Sequence, residues 1–196
     1  EEYGKPFPKT VGLNKVVTGK NYAVIISTNG GLWRYIVGDT IQFTSLEPYR
    51  VKVSGRLKHF INAFGEELIV DNTDKAIAYA CEQTGAVVNE YTAAPIYFSH
   101  SNNGAHEWLI EFEKAPAILN DFVYELDTAL KNFNSDYEAK RHRNIALRLP
   151  FVHPVPKGTF HEWMRSKGKL GGQHKVPRLS NDRDYVEEIL RFKQMQ

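Results

Sequence analysis

The sequence is poor in sulfur: among 196 residues it has one cysteine, Cys81, and two methionines. A lone thiol cannot close an intramolecular disulfide, and without a CxxC pair there is no zinc-ribbon spacing. Disulfide-stapled and cysteine-rich metal folds are therefore excluded, and a reducing cytoplasm is the natural setting. Long apolar runs are missing too. Stretches such as Tyr22–Ile26 fall far short of the roughly 20 residues that span a bilayer, which argues against a membrane partner. Excess charge of either sign is also absent, since 25 Lys and Arg against 23 Asp and Glu leave +2. That balance argues against binding that rests on a nucleic-acid backbone or an anionic surface. There is no initiator methionine, and EEYGKPFPK is acidic and then proline-broken, which makes neither a signal peptide nor a lipidation site. The chain is expected to be a piece of a longer one.

What remains is an ordinary globular composition, 42% hydrophobic and 24% charged, with enough length for a genuine core. The pattern changes near Gly55. Before it, NYAVIIST, the Asn29-Gly30-Gly31 turn, LWRYIV, the Gly38-Asp39 break, TIQFTS and YRVKVS read as short antiparallel strands. Without a helix beside them they make a poor core, so they are expected to complete a sheet of preceding sequence. After Gly55 the elements alternate. A short strand at 67–70 leads through the capping residues Asp71-Asn72-Thr73-Asp74 into a helix with Ala76, Ile77, Ala80 and Cys81 on one face. A hairpin follows, from 87–98 through SHSNNGAH to HEWLIEFE. Pro116 then opens a helix whose apolar stripe runs from Ile118 to Phe133. A strand at 145–149, a prolyl segment FVHPVP, a short helix at 159–165, the GKLGGQ loop and a helix at 183–192 complete the order. This predicts an α+β chain: a split β-α-β, ferredoxin-like sandwich with helices on one face of a mixed sheet, preceded by a few antiparallel strands. The expected division is 1–54 and 55–196.

The candidate chemistry is narrow. His161-Glu162 opens like a zinc-protease motif, but Arg165 stands where the second histidine belongs, so no metal site is expected. No GxSxG nucleophile elbow occurs, and Cys81 on a helix face reads as a small core residue. AKRHRN at 139–144 is the densest basic cluster, yet basic residues after a helix also suit its macrodipole. STNGG at 27–31 joins two strands and has no helix N-terminus behind it, so it reads as a hairpin turn and not a phosphate cradle. Three places are left: WRYIVGD with a carboxylate at a strand tip, VSGRLKHFINAFGEEL at the boundary of the two patterns, and GGQHKVPRL with a lysine between glycines and a proline.

Together these resemble the C-terminal part of the adenylate-forming superfamily, and most of all the plant and bacterial auxin-responsive acyl acid amido synthetases. The likeness is carried by Arg34-Tyr35-Ile36-Val37-Gly38-Asp39, by Gly55-Arg56 followed by Ile61-Asn62-Ala63-Phe64-Gly65-Glu66, and by Gln173-His174-Lys175-Val176-Pro177-Arg178. The resemblance implies that Asp39 holds the ATP ribose hydroxyls with Arg56 beside it. It also implies that Lys58 is a hinge, that Gly65 lets backbone approach the site in the second half-reaction, and that Lys175 is the adenylation lysine. It further implies ATP and Mg²⁺, a small carboxylic acid and an amino acid as substrates, and a missing N-terminal domain of the same chain carrying the phosphate loop and acid pocket. The fragment alone is then expected to be inactive. Gly168, Gly171 and Gly172 would keep the lysine's approach pliable, while Pro177 restricts the residue before it. Two residues depart from the pattern: His174 replaces a tyrosine usual in the plant relatives, and Asn62 stands where many superfamily members carry lysine. The rival classes are a non-catalytic nucleotide-binding or regulatory module of the same fold, and a nucleic-acid-binding sandwich using Lys140, Arg141 and Arg143.

Overall fold

Residues 8–56, 60–98, 104–144, 146–169 and 175–194 are described by the computed structural model. They fall into two units, Glu1–Lys58 and His59–Gln196.

In the first unit β1 (Asn21–Ile26), β2 (Tyr35–Leu46) and β3 (Tyr49–Arg56) form an antiparallel meander with β2 in the centre. The sequence predicts two strands broken at Gly38-Asp39; the structure joins them into one. Pairing jumps from Ala23↔Thr40 to Ile25↔Ile36, so β2 carries extra residues there, and Gly38 takes φ +93° inside the bulge. A glycine reaches that conformation without the Cβ clash other residues meet, so the ladder bends and continues. Asp39 therefore lies within a strand, beside a bulge, and not at a strand tip. Of this unit's described residues only Val16, Phe43 and Ser54 are buried, while Trp33 is 82% exposed and Val53 68%.

The second unit opens with a two-stranded ribbon, β4 (Phe60–Ile61) and β5 (Leu68–Ile69), running into α1 (Val70–Thr84). Asn72 Oδ1 accepts from the Ile69 amide at 3.2 Å, and Gly85 ends the helix at φ +66°. The main sheet has the order β6-β7-β8, with β6 (Val87–Tyr97) antiparallel to β7 (Gly104–Lys114) and β8 (Phe151–Val155) parallel to β7. Helices α2 (Leu119–Phe133) and α3 (Ser135–Arg141) make the crossover from β7 to β8. Next come α4 (Thr159–Ser166) and α5 (Asp184–Gln194).

Helices cover both faces of this sheet, where the sequence predicts one. Tyr91, Ala93, Trp108, Ile110 and Phe112 pack with α1, α2 and Tyr137 of α3. The alternate residues Ala94 and Leu109 pack with Phe160, Trp163 and Met164 of α4 and Val186 and Ile189 of α5. The third strand is also displaced from expectation. Leu147 makes only an isolated bridge to Gly104, and the prolyl segment is itself the strand β8. Pro154 fits because β8 lies at the sheet edge, where the missing N–H need not serve a further neighbour. Finally, α3 is a separate helix: Asn134 Oδ1 accepts from the Tyr137 amide at 2.7 Å and starts it anew.

Candidate functional site

The predicted residues divide between the units. In the first, the pairing register of β2 and β3 sets Asp39 directly opposite Arg56, with Thr40 opposite Gly55. Ser54 Oγ donates to Thr40 Oγ1 at 3.1 Å just beside them. Asp39 is half-buried. Two motifs 17 positions apart in sequence thus meet across one ladder. Lys58 lies outside the described residues, as do Gln173 and His174.

In the second unit the INAFGE motif forms a loop between β4 and β5. Gly65 is exposed and takes φ +84°, a left-handed conformation that disfavours a side chain. Asn62 and Glu66 close the loop from within. Asn62 Oδ1 accepts from the Glu67 amide at 3.1 Å, and Glu66 Oε2 accepts from the Phe64 amide at 2.7 Å. Glu66 Oε1 lies 2.8 Å from His106 Nε2, and neither side chain has exposed surface. Burial pushes the Glu66 carboxyl up, but the hydrogen bond and charge of His106, with the loop amides, outweigh it and hold the group below its ordinary value. The structure adds this pair to the site, and it joins residues 40 apart in sequence. The one sequence signal was polar His106 at the head of the apolar run of β7.

Lys175 is exposed, and among the described residues it has no ion-pair partner. Its mount is firmer than the glycines imply. Val176 packs against the α4–α5 cluster, and Thr92 Oγ1 donates to the Pro177 carbonyl at 2.7 Å. The Ala93 amide donates to the Arg178 carbonyl at 2.8 Å, and the Ser180 amide returns a bond to Ala93 at 3.1 Å. The segment thereby adds an edge to β6. Arg178 lies over the Tyr91 ring, 5.0 Å from its centroid, and pairs with Asp74 and with Glu90 at 3.5 Å. Burial and the neighbouring Asp74 charge push the Tyr91 phenol well up, so it stays a neutral donor to Asp74. Gly168 has a different task from the pliability expected of it. At φ +65° it ends α4, its amide bonding to Arg165 and that of Lys169 to Met164.

The basic cluster is dispersed by the fold. Arg141 turns inward to Asp127 at 2.5 and 3.1 Å and also bonds the Leu147 carbonyl, whereas His142 and Arg143 face outward. A surface cleft of about 420 Å³ opens between α1 and the start of β6, lined by Ile77, Cys81, Val88, Tyr91 and Arg178 among others. None of the predicted site residues lines it. Burial pushes the Cys81 thiol up, away from the reactive thiolate. Among the described residues, no group of three or more His, Cys, Asp or Glu side chains is placed to hold a metal ion, and no helix is long and apolar enough to cross a membrane.

A short β meander followed by a two-faced α/β unit is a fold shared with solved structures of an acyl acid amido synthetase and a CoA ligase. GH3.15 acyl acid amido synthetase aligns with a TM-score of 0.70 at 20% identity, over 92% of this chain and 34% of that one. A 2-hydroxyisobutyryl-CoA ligase in its postadenylation state aligns at 0.50 and 14% identity, over 92% and 36%. The chain belongs to the GH3 family: residues 1–56 match the GH3 family central domain and residues 71–184 the GH3 family C-terminal domain. Relatives include the indole-3-acetic acid-amido synthetase GH3.10 of Arabidopsis thaliana, 28% identical over 89% of this chain and 30% of the relative. Another is the jasmonoyl--L-amino acid synthetase JAR4 of Nicotiana attenuata, 26% identical over 87% and 30%. The chain thus spans about 30% of the length of these relatives.

Proposed function

We propose that the intact protein is an ATP-dependent acyl acid amido synthetase, of which this chain supplies ribose contacts and the mobile cap. In the first half-reaction a carboxylate oxygen of a small acid bonds to the α-phosphorus of ATP, the bond to the β-phosphate oxygen breaks, and pyrophosphate leaves. In the second, the amine of an amino acid bonds to the acyl carbon, AMP leaves with the bonding electrons of the acyl–oxygen bond, and the nitrogen loses a proton. Asp39 accepts hydrogen bonds from the ribose hydroxyls, with Arg56 at its side. Lys175 meets the charge that builds on the phosphoryl oxygens, where a compact cation on a long stem lowers the barrier. Rotation about Lys58 then withdraws it so that the amine reaches the carbonyl past Gly65. Mg²⁺ accompanies the ATP phosphates, and the phosphate loop and acid pocket belong to a preceding domain. The single thiol supports a cytoplasmic setting.

One observation carries the reading: Lys175 presents an exposed ammonium with no ion-pair partner among the described residues, immediately before a segment pinned to β6. It is tested by ATP–pyrophosphate exchange in the intact protein with indole-3-acetate, jasmonate and 2,4-DB, acids that figure in the names of relatives and neighbours. Lys175→Ala is expected to slow exchange on the order of 10²-fold or more; an unchanged rate removes the role. ATP binding without exchange for every acid would mark a non-catalytic nucleotide-binding module instead.

A further inference from the structure

The loop that carries Gly65 has a fixed inner side and a charged neighbour. Inside, Glu66 is gripped by His106 at 2.8 Å and by the Phe64 amide at 2.7 Å. The Phe64 ring rests on Tyr97 and His106, with centroids 5.2 and 6.5 Å away. At the other end the Asn62 amide donates to Asn181 Oδ1 at 2.7 Å. The inner side of the rim is therefore held by the buried Glu66–His106 pair, while its Asn62 end is tied to Asn181 at the surface. The loop residues Ile61-Asn62-Ala63-Phe64-Gly65-Glu66 include no cation. The cation comes from α3: a Cβ built on Gly65 would stand 3.1 Å from Lys140 Nζ and 3.3 Å from its Cε. Tyr137, one turn earlier on α3, stacks against His106 at 5.7 Å, so the helix that bears Lys140 is registered to the same buried pair that holds the loop.

Charge accounting around this spot leaves Lys140 unassigned. Arg141 beside it is committed to Asp127, Asn144 and Leu147, and Lys131 also pairs with Asp127, at 2.9 Å. Glu66 has no exposed surface and is bonded to His106. Lys140 is half-buried and pairs with no carboxylate among the described residues.

We infer that Lys140 binds the carboxylate of the acceptor amino acid in the amide-forming step. The assignment rests on the function proposed above, in which the acceptor passes Gly65. An amino acid carries its anion two bonds from the attacking nitrogen, so one cation at the rim both selects the acceptor and aims its amine. A charge-assisted contact of this kind is worth roughly ten- to a hundredfold in affinity. The missing Cβ at Gly65 lets the ammonium lie against the rim, and the Glu66–His106 pair keeps the rim in place.

The test uses the intact protein, an acid that supports exchange, and two acceptor series: the standard amino acids and their α-carboxamides, which keep the amine and lose the charge. Unsubstituted protein is expected to prefer the amino acid. Lys140→Met, which keeps the aliphatic stem, is expected to lower kcat/KM for the amino acid roughly ten- to a hundredfold, chiefly through KM. The carboxamide rate and ATP–pyrophosphate exchange should not change, and Lys140→Arg should restore much of the preference. Equal losses for both acceptors would assign Lys140 to the loop's structure, and loss of exchange would assign it to the nucleotide; either overturns the inference, as does an unaltered preference. Absence of exchange in the unsubstituted protein is a distinct result, which overturns the proposed function and this inference with it.

Discussion

Glu66 shows what one buried residue contributes and under which conditions. Burial raises its carboxyl and the His106 contact lowers it, with a net position below the ordinary 4.5. A carboxylate whose native value is depressed stabilises the fold fully above its unfolded value and loses that contribution as pH falls through the native value. Asp127, buried but bonded to Arg141, Lys131 and Tyr137, is displaced the same way. Urea midpoints are therefore expected to fall as pH drops below about 4.5, and the Glu66→Gln, Asp127→Asn double variant should show a shallower decline from a lower start. An unchanged slope would count against both assignments. Two glycines make contrasting residue-level cases. A methyl at Gly104 would collide with the Ile96 carbonyl and the Phe64 ring, so Gly104→Ala is expected to cost about 1–3 kcal/mol in urea denaturation. At Gly65 the methyl meets only the tip of a flexible lysine, and the expected cost, about 1–2 kcal/mol, comes from the left-handed backbone.

At the scale of elements, β7 works as a spine whose polar side chains brace its neighbours. Glu111 is buried and accepts from the Gly158 and Phe160 amides at 3.0 and 3.2 Å, supplying from a strand the cap that α4 lacks in its own sequence. Glu111→Ala leaves those amides and Asn89 without their partner, and a loss of about 1–3 kcal/mol is expected, with faster hydrogen exchange at the start of α4 than in α1. Elements with unambiguous periodicity were legible in the sequence, α1, α2 and the β6–β7 hairpin among them. Those missed had misleading local chemistry. Pro154 made an edge strand look like a loop. Asn134-Ser135-Asp136, the start of α3, falls just past the Ile118–Phe133 stripe, and its cap marks a helix too short to show a periodicity of its own. Helices on both sheet faces were foreshadowed by Trp108-Leu109-Ile110, since an unbroken apolar run marks a strand covered twice. The Glu66–His106 and Glu111–α4 contacts span 40 and up to 49 residues, beyond any local pattern.

For the whole molecule, the two units differ in self-sufficiency. The second has two cores flanking its sheet, while the first buries Val16 and Phe43 and exposes Trp33, Tyr35 and Val53. Expressed separately, residues 59–196 are expected to unfold cooperatively and residues 1–58 to show no cooperative transition by circular dichroism. A cooperative transition in the shorter piece would show that the meander needs no covering layer. Of the candidate site, the Asp39–Arg56 pairing was within reach of the sequence because both motifs flank one hairpin. The stiffness of the lysine's mount was not, because Thr92 and Ala93 lie more than 80 residues before the carbonyls they bind. That stiffness limits how residue 175 can travel. Two residues of chain span at most about 7 Å, so Lys175 is on a short leash from the Pro177 carbonyl. Its larger excursions must be borrowed from the sheet, and a spin label replacing it should report the tumbling of β6 rather than the whip of a free loop.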